Sequence, residues 1–177
     1  MKDGNRRRKM EKTEYDTNWL KTHLTVSKFP STEKVKASGC DILVNVSDLY
    51  RSEVISGVRE YWFPLGESFG FSLSSIYGAL KVMYEAYRID DIVLLHCHAG
   101  QNRSRTVYEC LFYLISGSHA EKPERSKLML NINDGQLPGI YKMEEFLDNC
   151  REVFQDADNQ RPLDWIRHEM HMAGSGF

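Results

Sequence analysis

Apolar and polar positions alternate along this chain in two rhythms, compact apolar runs and stretches with an i, i+3, i+4, i+7 spacing. The first reads as buried strand and the second as amphipathic helix. Leu24 to Phe29 is a short extended stretch closed by Pro30. Ser31 or Thr32 can cap a short helix over Glu33 to Ala37, which Gly39 stops. Asp41 to Val46 is a compact apolar run rich in β-branched residues, as a buried strand should be, and Val58 to Phe63 predicts another that ends at Pro64. From Leu73 the period changes. Leu73, Ile76, Tyr77, Leu80, Met83, Tyr84 and Tyr87 share one helical face, with Ser72 as the cap, until Asp90-Asp91 breaks the pattern. Ile92 to Leu95 is again a continuous apolar strand. After a polar loop, Val107, Cys110, Leu111, Leu114 and Ile115 predict a buried central helix ending near Gly117. Further helices are expected at Pro123 to Asn131, from Pro138 through Phe154, and at Leu163 to Met170.

This alternation predicts an α/β fold, a mostly parallel central sheet of four to five strands flanked by helices. The 177 residues suit one domain. The expected division is a flexible basic arm over 1–20, a single domain over 21–171 and a loose tail over 172–177. The formal net charge is −2, from 23 Lys+Arg and 25 Asp+Glu, and this speaks against a dedicated nucleic-acid binder. No apolar run approaches the roughly 20 residues of a membrane helix, and no apolar signal segment opens the chain. A soluble, cytoplasmic domain is the expectation. The four cysteines lie at wide, irregular spacings, which disfavours both a zinc site and a disulfide framework. Cys40, Cys110 and Cys150 read as small core residues, whereas Cys97 does not.

Cys97 follows a buried strand directly, at the carboxyl edge where open α/β sheets bind their ligands. Ala99 and Gly100 let the backbone curve closely, and a helix then begins around Asn102 to Ser104. The unpaired N–H groups at that helix start, with its positive dipole end, make an anion cradle from His98, Ala99, Gly100, Gln101, Asn102 and Arg103. The same features favour a thiolate at Cys97. Arg103 can clamp two oxygens of a tetrahedral anion, and Ser104 can donate to the sulfur. These residue types in this order suit phosphoryl transfer through a cysteinyl-phosphate.

The nine residues His96-Cys97-His98-Ala99-Gly100-Gln101-Asn102-Arg103-Ser104 match the HCxxGxxR[ST] signature, and on them the chain resembles the cysteine-based protein tyrosine phosphatases. Leu24 to Ser31, the segment to Gly39 and the strand at Ile42 to Val46 resemble the opening of the dual-specificity subgroup, so the likeness spans roughly Leu24 to Phe154. The resemblance implies a metal-independent hydrolase without cofactor. Its substrates would be phosphate monoesters, phosphotyrosine on proteins first and phosphoserine or phosphothreonine beside it. It makes Cys97 the nucleophile and His96 a support of the loop. It also asks for an aspartic acid on a loop ahead of the long helix, to protonate the leaving oxygen. Here Phe63-Pro64-Leu65-Gly66-Glu67 stands in that place, and no Asp lies between Tyr61 and Asp90. Glu67 is the aligned acid. Asp48, which follows the strand at Asp41 to Val46, is the alternative. Three other readings remain: a phosphatase of RNA 5′-triphosphates, one of phosphoinositides, or a phosphate-binding module that has lost turnover. The expected partner is a phosphorylated protein, with no specific nucleic acid. Of the aromatic pair Tyr61-Trp62, strand alternation predicts one residue inward and one outward.

Overall fold

The computed structural model describes residues 17–66, 73–117 and 141–155. The chain enters through a one-turn helix, α1 (Asn18–Thr22), and strand β1 (Leu24–Ser27). Helix α2 (Thr32–Ser38) follows, then β2 (Ile42–Asn45), β3 (Arg59–Trp62), α3 (Leu73–Ile89) and β4 (Val93–His96). Helix α4 (Arg103–Ser116) leaves the loop after β4, and α5 (Tyr141–Gln155) is the last described element. The four strands form one sheet in the order β1-β4-β2-β3, and every pairing is parallel. The expected α/β class and parallel sheet are therefore present. The helices expected at Pro123 to Asn131 and Leu163 to Met170, the tail over 172–177, Ser72 and Glu67 lie outside the described residues.

Local chemistry explains the boundaries. Ser31 Oγ accepts the Lys34 N–H at 3.3 Å and caps α2. Gly39 (φ 65°) and Gly117 (φ 74°) end α2 and α4 in the left-handed conformation that glycine takes without a Cβ penalty. Asp90 (φ 68°) ends α3 in the same way without being glycine.

Alternation along the two central strands sorts the core. Ile42, Val44, Val93 and Leu95 face the larger cluster with residues of α1, α3, α4 and α5. Leu43 and Leu94 face the other side, against Val35 of α2 and Ile55 of the loop between β2 and β3. Every residue of β2 and β4 is buried, and both strands run apolar up to a polar last residue, Asn45 and His96.

Two expectations are corrected. The flexible arm was expected to reach residue 20, but Trp19 and Leu20 of α1 are buried, and Trp19 meets the Tyr87 ring edge-on at 5.7 Å. Burying a tryptophan outweighs fraying at that point. Tyr61 and Trp62 do not split inward and outward: they are 36 % and 41 % exposed. β3 closes one edge of the sheet, so neither of its faces is fully covered.

Candidate active site

β4 and β2 place the site. Their register aligns Asn45 with His96, and the His96 carbonyl accepts the Val46 N–H at 2.9 Å. Both strands therefore end together, and Cys97 and the turn at 46–50 leave the same edge. The loop after β4 is tied to the segment that follows β1 as well, where Phe29 N–H donates to the His98 carbonyl at 3.0 Å.

Cys97 is 2 % exposed, and its sulfur sits inside the curve of the loop. The Gly100 N–H donates to Cys97 Sγ at 3.1 Å, and Ser104 Oγ lies 3.3 Å from it. Burial alone would push the thiol up. The Ser104 hydroxyl, the Ser104 and Gly100 amides and the Arg103 charge outweigh it, so the thiol is held below its ordinary value. Gly100 makes the curve possible. Its φ is +73°, and a Cβ there would stand 2.6 Å from Lys28 N and 2.8 Å from Ser27 C. No other residue type fits that approach without moving the backbone.

Arg103 is the first residue of α4 and is 3 % exposed. Its Nη1 donates to Asp48 Oδ1 at 2.7 Å and to the Leu65 carbonyl at 3.0 Å. Asp48 is held ionised, below the usual carboxylate range, by the Arg103 hydrogen bond first, then by its own backbone and the charges of Arg103 and His98. The rest of the loop stands outward. His98, Ala99, Gln101 and Asn102 are exposed, and Gly100 is half-buried.

His96 is fully buried at the end of β4. Its Nδ1 lies 3.3 Å from the Cys97 carbonyl, so that nitrogen carries the hydrogen. Burial pushes the ring pKa down to about 4, and the nearby Arg51 charge adds to this. His96 is thus a neutral prop. Phe29 packs edge-on against it at 4.8 Å, and the Arg51 guanidinium lies 4.9 Å from the centre of the Phe29 ring. Arg51 also donates to the Pro30 carbonyl and to Thr32 Oγ1.

The structure thus brings Cys97, Gly100, Arg103, Ser104, His96 and Asp48 together. Several supports carry no local signal: Phe29, Arg51, the Leu65 carbonyl, and the Asn45 and Ser47 side chains behind Asp48. Only the parallel register of the four strands would point to them. Among the described residues no group of three or more His, Cys, Asp or Glu could hold a metal ion. No helix among them is long and apolar enough to cross a membrane.

No protein-family model matches the chain, and no curated protein matches it in sequence. Solved structures do. The crystal structure of DUSP15 matches with a TM-score of 0.57 at 12% identity, over 78% of this chain and 94% of that one. The structure of Tk-PTP in the active form matches with a TM-score of 0.51 at 19% identity, over 73% of this chain and 92% of that one. With its parallel sheet and the loop at the carboxyl edge of β4, the chain has the fold of the dual-specificity phosphatases.

Proposed function

We propose that this protein hydrolyses phosphate monoesters through a cysteinyl-phosphate intermediate. One observation carries the reading: a buried Cys97 sulfur that accepts from the Gly100 N–H at 3.1 Å, lies 3.3 Å from Ser104 Oγ and has its thiol held below the ordinary value. A buried structural thiol has no use for such donors. In the first step Cys97 attacks phosphorus, the S–P bond forms, and the bond to the leaving oxygen breaks. Arg103 and the loop N–H groups from His98 to Arg103 neutralise the equatorial oxygens. Glu67 donates the proton that the leaving oxygen needs. In the second step water attacks phosphorus, Glu67 takes its proton, and the thiolate leaves with a hydrogen bond from Ser104. His96 supports the loop. Phosphotyrosine on a protein is the substrate class this reading favours.

Hydrolysis of p-nitrophenyl phosphate without added metal tests it. Wild type should turn over, and Cys97→Ser should lose at least about 1,000-fold in kcat while still binding inorganic phosphate. Activity that survives Cys97→Ser would end the covalent mechanism. Glu67→Gln should slow phenyl phosphate about 100-fold and p-nitrophenyl phosphate far less, since the better leaving group needs no proton.

A further inference from the structure

We propose that Asp48 is the positioning residue that fixes the phosphate-gripping guanidinium of Arg103, held in place by the turn at the end of β2; this rests on the phosphatase reading above. Nη1 of Arg103 carries two hydrogens. One goes to Asp48 Oδ1 at 2.7 Å and the other to the Leu65 carbonyl at 3.0 Å. The acceptors belong to different parts of the sheet edge, Asp48 beyond β2 and Leu65 beyond β3. A guanidinium is planar, so two fixed points on one nitrogen set the orientation of the whole group. A two-pronged grip on phosphate then runs through Nε and Nη2, the opposite edge of the same plane.

Asp48 can serve as a fixed point because its turn is tightly built. The Ser47 N–H donates to Asn45 Oδ1 at 2.9 Å, and Ser47 Oγ lies 2.7 Å from the same oxygen. Asn45 Nδ2 donates to the Leu49 carbonyl at 2.8 Å, and Trp62 Nε1 donates to the Ser47 carbonyl at 2.9 Å. Asn45 and Ser47 are fully buried, whereas the Asp48 side chain is 67% exposed. Solvent screens a pair so exposed, so its effect lies in geometry more than in charge attraction.

The same carboxylate could be read as the general acid. An acid must hold a proton when the leaving oxygen needs it, and a carboxylate bonded to a guanidinium holds none at neutral pH. It could also act only as a negative charge that repels the phosphate. These roles differ in what each variant does.

Asp48→Ala and Asp48→Asn in the full chain should be compared with wild type on p-nitrophenyl phosphate and phenyl phosphate, with inorganic phosphate binding followed by calorimetry. Asp48→Asn keeps an acceptor for the buried Arg103 and should melt near wild type, while Asp48→Ala leaves that guanidinium one acceptor short and should melt lower. Asp48→Ala should lose about 10- to 100-fold in kcat/KM on both esters alike, and bind phosphate about tenfold more weakly. Asp48→Asn keeps the Oδ1 acceptor and should stay within about threefold of wild type. Equal losses in both variants, confined to phenyl phosphate and with phosphate binding unchanged, would identify an acid and overturn the proposal. Tighter phosphate binding by Asp48→Ala would overturn it as well. If wild type hydrolyses neither ester, the phosphatase reading fails, and the phosphate-binding comparison still decides the role of Asp48.

Discussion

At the scale of single residues, three cysteines in one core show how local donors decide chemistry. Burial pushes the Cys110 thiol up to about 12 and the Cys150 thiol higher still. Cys97 is as well hidden, yet its thiol moves the other way, because the Gly100 N–H and Ser104 Oγ reach its sulfur. Removing one of these donors should therefore move reactivity measurably. Gly100→Ala places a methyl 2.6 Å from Lys28 N, a backbone atom that cannot swing away, at φ +73°. The loop must open, and the amide leaves the sulfur. We expect the pH profile of iodoacetamide alkylation at Cys97 to shift upward and kcat/KM to fall about 100-fold. An unchanged alkylation profile would show that the amide does not set the thiol. The glycine, the cysteine and the arginine are legible in the sequence because they lie within seven residues and in a fixed order. The link from Asp48 to Arg103 is not, since 55 residues separate the partners.

At the scale of elements, the hydrophobic periods find the strands and long helices because each of them buries a face. The strand expected over Asp41 to Val46 forms at Ile42–Asn45, and the helix expected from Leu73 forms at Leu73–Ile89. α1 escapes the pattern because five residues are too few to display a helical period. Helix α3 comes close to the residue that follows β3. A Cβ on Gly78 would stand 2.4 Å from the Phe63 ring. Alanine in a helix gains about 1 kcal/mol over glycine, while overpacking costs about 1–3 kcal/mol. Gly78→Ala should therefore destabilise the protein by about 1 kcal/mol in urea melts, against the propensity scale. Phe63 lies two residues from Leu65, whose carbonyl orients Arg103, so a fall in kcat/KM should accompany the shift. A stabilised variant would mean that Phe63 moves aside freely.

At the scale of the whole molecule, the sheet edge and the global stability meet in His96. Its ring is fully buried, with a pKa of about 4 in the fold against 6.5 in the open chain. The unfolded chain therefore takes up a proton first as pH falls. Stability contributed by the neutral ring is whole above about pH 6.5 and declines toward pH 4, by up to about 3 kcal/mol. Below pH 4 the folded ring titrates too, and this loss levels off. Melting temperatures from pH 7.5 to 4.5 should fall more steeply for wild type than for His96→Asn, and parallel curves would refute the assignment. The sequence by itself determined the α/β class, the strand-loop-helix unit and the Cys97 thiol with the loop that curves around it, because those depend on residues adjacent in the chain. Only the tertiary structure decided that Asp48 and the Leu65 carbonyl hold Arg103, and that Phe29 and Arg51 back His96. Those contacts follow from the order β1-β4-β2-β3, which inserts β4 between strands that precede it in the chain. Local periodicity reports which face of a strand is buried but not which strand lies beside it.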